Sequence, residues 1–351
     1  MTSTEKLGVL FLNLGGPDSP KAIRPFLMNL FSDPDIFRLP ISWLMQKPLA
    51  WYIVTSRIEE VIENYEKIGG RSPILPLTQA QGHALEDRLG LDGVDAKVYI
   101  AMRYWNPMTD EAVQQMMADG VTHLVVLPLY PQYSYSTTGS SLNELDRVMA
   151  LRNYFPKMTT VESFYKLPLY QSAIAETIQD GLNDHQSDWS CPREEVLILF
   201  SAHSLPKKFV EKTGDPYPDQ IRETIELIMS NYFPNNNWEL CYQSKVGNMP
   251  WLGPDTDGIL HYFAATHVEN ILIVPISFVS DHIETLFEID QLYLPLAKDL
   301  GIPQCHRTRG LNSDPKFIDA LAHLVKSALR NDLKLDIEAS PATPLEVASN
   351  P

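Results

Sequence analysis

The chain has 351 residues, 44% of them hydrophobic and 21% charged, which is enough for two domains with sizeable cores. It carries 44 acidic against 28 basic side chains, a formal charge of −16. That balance disfavours a nucleic-acid binder, because phosphate contacts need clustered positive charge, and it disfavours simple electrostatic docking to anionic lipid.

The cysteine pattern indicates a reducing compartment. Cys191, Cys241 and Cys305 are widely spaced, odd in number and form no C-x-x-C pair. This argues against a disulfide framework and against a cysteine-rich metal site. Strand-like sequence begins by Leu7, which leaves no space for a targeting peptide, and no apolar run reaches the roughly 18 residues of a membrane span. We therefore expect a cytoplasmic protein.

Apolar runs typical of buried strands alternate along the chain with segments of helical periodicity. This alternation predicts an α/β fold with parallel sheets. A break near Pro156 divides the pattern into two similar halves, residues 1–155 and 156–310. The predicted strands cover residues 7–12, 96–102, 123–129, 159–164, 195–200, 238–243 and 270–276. The predicted helices cover residues 78–89, 109–118, 141–152, 170–182, 218–230 and 255–265.

Two further segments stand outside this alternation. Residues 311–333 contain Leu321, Leu324 and Val325 at helical spacing, which predicts a C-terminal amphipathic helix that packs back on the body. Residues 334–351 are rich in Pro, Ala, Ser and Glu and are predicted to be disordered.

Residues 36–54 are apolar and aromatic but contain prolines, which predicts that no long helix runs through them. One interpretation is core between elements. The other is an exposed apolar lip that meets a hydrophobic ligand or a membrane surface. The residues alone leave both open.

Polar and aromatic residues follow the strands of the first half. The glycine pair after the first strand, residues 15–16, does not form G-x-G-x-x-G, so a dinucleotide fingerprint is absent and a nicotinamide enzyme is disfavoured. Arg103 and Tyr104 end the second strand. An arginine beside aromatics suits a carboxylate on a flat ring system, and it equally suits a structural salt bridge.

In the second half, His203 lies at the carboxyl end of a predicted strand, where open α/β sheets place their ligand crevices. A structural histidine that caps a turn is the alternative. The segment after the last predicted strand holds Asp281, His282, Glu284 and Glu288. Asp281 and Glu284 fit a D-x-x-E capping box, but carboxylates four residues apart share a helix face and repel.

Clustered acids beside a histidine suit proton transfer or a divalent cation. His203 and Glu284 each follow a strand of the same half, so both can face one crevice. Met249 and Trp251 add large apolar faces. The residues alone thus favour an enzyme that acts on a large planar ligand.

Over about residues 7 to 330, the chain resembles the ferrochelatases. The resemblance implies a chelatase-like fold of two Rossmann-like domains, each a parallel sheet flanked by helices, with a porphyrin in the cleft between them. It implies insertion of Fe²⁺ into protoporphyrin IX to give protohaem, the terminal step of haem biosynthesis. The matching blocks are residues 12–17, 68–73, 103–107, 130–134, 200–206, 214–218, 243–247, 278–290 and 311–318.

The resemblance also assigns roles to residues. It implies that His203 accepts pyrrole protons and that Glu284 is its partner carboxylate, with both able to contact the metal. It places Asp281, His282 and Glu288 in the network around them. The porphyrin contacts that it implies are Leu14, Arg57, Tyr65, Ser72, Arg103, Tyr104, Tyr130, Met249, Trp251 and Phe278.

Departures from the family pattern refine these expectations. Tyr135 stands where animal enzymes have an internal cluster ligand, and the tail has no cysteine, so we predict no 2Fe–2S cluster and no tightly bound cofactor; Fe²⁺ is a substrate. Glu60 stands where a lysine near a propionate is expected. The blocks around Glu284 and Trp251 resemble the protoporphyrin-using type.

By the same resemblance, residues 36–54 form the lip through which porphyrin enters from a membrane surface, which implies peripheral membrane contact. Two alternatives stay open. One is a cobalt or nickel chelatase that acts on another tetrapyrrole, and the other is a non-catalytic porphyrin or haem carrier. The sequence does not decide between monomer and dimer.

Overall fold

The structure is a computed structural model that describes residues 5–36, 46–185, 188–247 and 249–330. The chain forms two compact units. The first contains the described residues up to Ser163, with Ser280–Ile283 and the residues of the last helix from Leu321 onward. The second contains Phe164–Val279 and Glu284–Ala320.

The first unit is built on a parallel four-stranded sheet of order β2-β1-β3-β4. The central strands β1 and β3 are buried almost throughout, as expected when helices cover both faces of a parallel sheet. The strands are β1 Leu7–Asn13, β2 Ala96–Met102, β3 His123–Pro128 and β4 Lys157–Thr160. The helices are α1 Pro20–Ser32, α2 Gln46–Glu66, α3 Ile74–Leu91, α4 Thr109–Asp119 and α5 Ser140–Arg152.

Strand β4 corrects the predicted division of the chain. The sequence places a strand at 159–164 in the second half, but β4 begins at Lys157 and pairs with β3, His123 lying beside Lys157. β4 is an edge strand with half-buried and exposed residues, so its pattern is weak. The break at Pro156 is therefore a turn into the last strand of the first sheet.

The second unit repeats the architecture with a parallel sheet of order β6-β5-β7-β8. β5 lies at the centre and β8 at one edge. The strands are β5 Leu197–His203, β6 Trp238–Gln243, β7 Asn270–Pro275 and β8 Gln304–Arg307. The helices that follow in the chain are α6 Pro168–Asp184, α7 Lys207–Thr213, α8 Tyr217–Tyr232, α9 Thr256–Ala265, α10 Ile283–Leu286, α11 Leu294–Asp299 and α12 Pro315–Arg330. Ile283 and the part of α12 from Leu321 onward belong to the first unit.

The predicted C-terminal amphipathic helix is confirmed as α12, in which Leu321, Leu324 and Val325 are fully buried. The predicted tail at 334–351 lies outside the described residues.

Part of the segment at 36–54 is also described. Residues 37–45 lie outside the described part, but residues 46–54 form the start of α2. The expectation that prolines exclude a long helix is wrong here, because Pro48 falls in the first turn, where its missing N–H costs nothing. Within the described ranges, no helix is both long and apolar enough to cross a bilayer.

Candidate active site

His203 is the last residue of β5, and its backbone is fixed on both sides. Its N–H donates to Ser277 Oγ at 3.1 Å, and its carbonyl accepts from the Tyr217 hydroxyl at 3.0 Å. In the ring, Nδ1 lies 2.6 Å from the Ser204 carbonyl oxygen. A carbonyl oxygen can only accept, so Nδ1 carries the proton and Nε2 of the neutral ring carries the lone pair. His203 is thereby held in the tautomer of a base.

Glu284 lies opposite that nitrogen. Its Oε1 is 3.6 Å from His203 Nε2, and the two side chains are 17% and 37% exposed. A carboxylate at this distance stabilises the imidazolium that forms when Nε2 takes up a proton. The structure therefore brings the two predicted catalytic residues together, with the His203 side chain partly exposed.

Glu288 is half-buried and interacts electrostatically with this pair. Its Oε2 accepts hydrogen bonds from the Ser244 hydroxyl at 2.7 Å and from the Gln243 amide at 3.1 Å. Burial, followed by the nearby charge of Glu284, raises the pKa of Glu288 to about 7, against the smaller opposing effects of Ser244, His203 and Gln243. A carboxyl group with such a pKa exchanges protons near neutral pH.

Gln243 connects His203's strand to both glutamates through hydrogen bonds. It ends β6 and lies beside His203 in the sheet. Its carbonyl oxygen accepts from the Ser201 hydroxyl at 2.6 Å, which orients the amide nitrogen towards Glu288 and towards the backbone carbonyl of Glu284 at 2.7 Å. The sequence did not identify Gln243 or Ser244 as site residues, although a polar pair at the end of an apolar strand next to His203 is a usable signal.

The backbone around the two glutamates differs from the single helix that the sequence suggests. α10 is one turn, Ile283–Leu286, and the capping box of Asp281 and Glu284 stays a prediction. A wide π-helical turn, Glu288–Tyr293, then precedes α11. Such turns are frequent at functional sites, and this one begins at Glu288.

Asp281 and His282 belong to the first compact unit. His282 is 8% exposed, and its Nδ1 lies 3.0 Å from the Ser280 carbonyl oxygen, whereas Asp281 is half-buried. Their membership of the network around Glu284 stays a prediction.

Trp251, one of the predicted porphyrin contacts, lies in a segment that pairs with the residues after His203. Leu252 N–H donates to the Leu205 carbonyl at 2.9 Å, and Pro206 and Trp251 form an isolated bridge. The indole N–H of Trp251 donates to the Val246 carbonyl at 3.1 Å.

The other two apolar side chains predicted to contact porphyrin from this unit are at least partly accessible. Met249 is exposed and Phe278 is half-buried. Their porphyrin contacts, like that of Trp251, stay predictions.

In the first unit, Arg103 and Tyr104 share a buried carboxylate. Arg103 Nη2 lies 2.7 Å from Asp33 Oδ2, and the Tyr104 hydroxyl donates to the same oxygen at 2.6 Å. Ser140 Oγ also donates to it, at 2.6 Å, and accepts from Arg103 Nε at 2.8 Å. The structure thus contains the structural salt bridge that was the alternative interpretation, and Tyr104 is 1% exposed.

The other predicted porphyrin residues also lie in the first unit. Tyr65 and Ser72 are buried, while Leu14 and Tyr130 are partly buried. Arg57 lies in α2, one turn before Glu60, with 3.9 Å between Nε and Oε2. That ion pair gives Glu60, which replaces an expected lysine, a local partner. For these residues a role in porphyrin binding stays a prediction.

Comparison with known proteins decides the family. A family model described as Ferrochelatase matches residues 6–329. The chain belongs to the ferrochelatase family. It is 49% identical over 325 residues to the ferrochelatase of Geobacter metallireducens, covering 93% of this chain and 99% of the relative. It is 48% identical over 328 residues to the ferrochelatase of Thermosynechococcus vestitus, covering 92% of this chain and 82% of the relative.

Membership of the ferrochelatase family confirms the predicted class of enzyme. The chain is a lyase of haem synthesis that inserts metal into a porphyrin. Solved structures confirm the fold. SirB from Bacillus subtilis with Fe³⁺ matches with a TM-score of 0.54 at 11% identity, covering 93% of this chain and 96% of that one. A cobalt complex of the sirohydrochlorin chelatase SirB from Bacillus subtilis subspecies spizizenii matches with a TM-score of 0.52 at 12% identity. The match covers 93% of this chain and 96% of that one.

Proposed function

We propose that this ferrochelatase inserts Fe²⁺ into protoporphyrin IX, with His203 as the acceptor of pyrrole protons and Glu284 as the carboxylate that assists it. The proposal rests on one observation, the 3.6 Å separation of His203 Nε2 and Glu284 Oε1 with Nδ1 of His203 engaged by a carbonyl. Because the proton of the neutral ring is on Nδ1, Nε2 is the atom that can take a proton from a ligand.

The reaction releases two protons, since the porphyrin loses both of its pyrrole N–H protons as the Fe²⁺ enters. His203 takes up one proton at Nε2, Glu284 stabilises the resulting imidazolium, and the ring passes this proton on to water before it takes up the second. Glu288, with a pKa of about 7, is suited to exchange protons with this pair at neutral pH. Its contacts to Gln243 and Ser244 hold the carboxyl group in place.

The same groups can serve as transient ligands of the arriving metal. An imidazole nitrogen and a carboxylate oxygen both suit Fe²⁺. Selectivity for iron does not follow from their affinity, since copper and zinc bind such ligands more tightly. Selectivity depends instead on the geometry of the site, the type of ligand and the availability of each metal.

Met249 and Trp251 are proposed to pack on the porphyrin. Metal insertion needs the flat ring to be distorted, and binding energy from apolar contacts can supply that strain. The hydrogen bond from the Trp251 indole to Val246 fixes the position of its ring, which a strain-inducing contact requires.

We further propose a cytoplasmic enzyme with peripheral membrane contact and no 2Fe–2S cluster. On α2, Trp51 is 58% exposed and Tyr52 66% exposed, a pair of amphipathic aromatics of the kind that favours a membrane interface. The cysteines in the described residues are free, with Cys241 buried.

Anaerobic turnover with different metals separates this function from its alternatives. We expect the fluorescence of protoporphyrin IX to disappear when Fe²⁺ is added. At the same time, the Soret absorption band of protohaem should appear. Turnover with cobalt or nickel on another tetrapyrrole, and none with Fe²⁺ on protoporphyrin IX, would favour the related chelatase. Haem or porphyrin binding without turnover of any metal would favour a carrier.

A further inference from the structure

Three side chains with metal-ligating atoms meet at an edge of the second sheet. His185 follows the end of α6, Asp188 lies three residues later, and His306 is on the edge strand β8. Asp188 Oδ2 is 3.3 Å from His185 Nδ1 and 3.8 Å from His306 Nε2. One ligand atom from each of the three residues lies within 4.8 Å of the others.

Backbone and ring contacts hold the three residues together. The Asp188 N–H donates to the His185 carbonyl at 2.9 Å, which folds the carboxylate back over the end of α6. The rings of His185 and His306 stack with centroids 3.8 Å apart and 11° between their planes. Trp189 and His306 form a T-shaped ring contact with centroids 5.0 Å apart, and the Trp189 indole N–H donates to the Leu182 carbonyl at 3.1 Å.

The Nε2 atom of His306 is a buried donor atom that a metal would satisfy. Nε2 of His306 is buried from solvent and has no hydrogen-bond partner among the described residues, which is costly for a polar atom. Burial, followed by the neighbouring His185, lowers the pKa of His306, against the opposing charge of Asp188. A neutral imidazole is the ligand form of histidine.

This cluster is separate from the reaction site within the same unit. Sheet register places His306 beside Leu272, and Leu272 beside Ile198 on β5. Ile198 precedes His203 by about 16 Å of strand, and two strand spacings add about 10 Å across the sheet. His306 therefore lies roughly 19 Å from His203 in the sheet.

We propose that His185, Asp188 and His306 bind a divalent first-row transition ion such as Zn²⁺ or Co²⁺ at a second site, distinct from the one where the porphyrin is metallated. Two imidazoles and one carboxylate match the ligand set of tetrahedral Zn²⁺ sites, with the fourth position left to water. Mg²⁺ and Ca²⁺ are disfavoured because they prefer oxygen ligands.

Binding requires the ligand atoms to move closer together and the stacked histidine rings to reorient. Metal–ligand bonds of about 2.0–2.1 Å place tetrahedral ligand atoms about 3.3 Å apart, so the widest separation has to close by roughly 1.5 Å. The stacked rings must also tilt, because each nitrogen lone pair lies in its ring plane. His185 is at a helix end and its side chain is 32% exposed, which leaves it able to rotate.

The test is a Co²⁺ titration of the full chain in a His203→Gln, Glu284→Gln background, so that the reaction site contributes little. We expect one Co²⁺ per chain with the absorption bands of a tetrahedral complex, and quenching of the Trp189 fluorescence. Adding His306→Gln should weaken binding at least about tenfold and abolish the bands. Trp189→Phe should remove the quenching while Co²⁺ still binds.

A matched control is His261→Gln. His261 also faces an aspartate, with Nδ1 3.4 Å from Asp257 Oδ1, but it belongs to no three-ligand group in the described residues. We expect less than a twofold change for it. Asp188→Asn serves as a second variant at a more exposed position if His306→Gln folds poorly. The proposal is overturned if both His306→Gln and Asp188→Asn bind Co²⁺ as tightly as the background, or if His261→Gln weakens binding equally.

Discussion

His203 Nε2 and Glu284 Oε1 lie 3.6 Å apart, although their residues are 81 positions distant in the chain. Their proximity is a consequence of the parallel sheet. His203 ends β5, and Glu284 lies in the segment that follows the neighbouring strand β7, so both are at the carboxyl edge of the sheet. This edge is where open α/β sheets bind their ligands.

Removing the charge of Glu284 tests its role as partner of His203. Glu284→Gln keeps the shape of the side chain but cannot stabilise an imidazolium. We expect the metallation rate to fall about 10²-fold or more, while the dissociation constant for the porphyrin stays within twofold. Glu226→Gln, at an exposed position of α8, is the control and should retain full activity. An active Glu284→Gln enzyme would contradict the assigned role.

Glu288 should make the protein less stable as the pH rises through neutrality. Its folded-state pKa of about 7 is above the ordinary 4.5, so between these values the native state binds the extra proton. The stabilisation is complete below about pH 4.5 and is lost as the pH rises through 7. Glu288→Gln should therefore flatten the dependence of the unfolding free energy on pH between 5 and 8, a range measurable by urea denaturation.

The control for this experiment is Glu239→Gln, an exposed glutamate on β6. It should leave the pH dependence of the wild type in place. An identical slope in wild type and Glu288→Gln would show that the carboxyl group of Glu288 does not titrate near neutrality.

The Asp33–Arg103 pair predicts a large stability effect in the first unit. Asp33 is buried and accepts from Arg103, Tyr104 and Ser140, so Asp33→Asn would leave the guanidinium without its counter-charge. We expect a loss of about 3 kcal/mol in the free energy of unfolding.

The exposed ion pair between Arg152 and Asp110 provides the comparison. Asp110→Asn should cost less than about 1 kcal/mol, because solvent screens that pair. Similar losses for both variants in chemical denaturation would show that burial does not strengthen the Asp33 pair.

The aromatic pair on α2 predicts membrane partition. Replacing Trp51 and Tyr52 by serine should lower binding to neutral phosphatidylcholine vesicles at least about fivefold in a flotation assay. Phe155→Ser is the matched control, since Phe155 is 71% exposed elsewhere in the same unit. Equal losses for the control and the double variant, or no vesicle binding by the wild type, would contradict the proposed contact.

The parts of the fold that the sequence predicts are those where burial is strong. β1, β3, β5 and β7 are covered on both faces and give unbroken apolar runs. β8 leaves no such signal because Gln304–Arg307 is short, polar and only half-buried. α2 escapes prediction because its first residues belong to a proline-containing segment.

The sequence likewise predicts only some residues of the site. His203 and Glu284 are predictable because each follows a strand of one sheet. The position of Glu288 is not, because it depends on a π-helical turn that the spacing of apolar residues does not encode. Gln243 is found only when the sheet order is known, since its role comes from lying beside His203.

The central claim, that His203 accepts the pyrrole protons, is tested most directly by anaerobic stopped-flow of His203→Ala with protoporphyrin IX and Fe²⁺. We predict that the variant binds the porphyrin with unchanged fluorescence but metallates it at least about 10³-fold more slowly than the wild type. Metallation by His203→Ala at the wild-type rate would contradict the account.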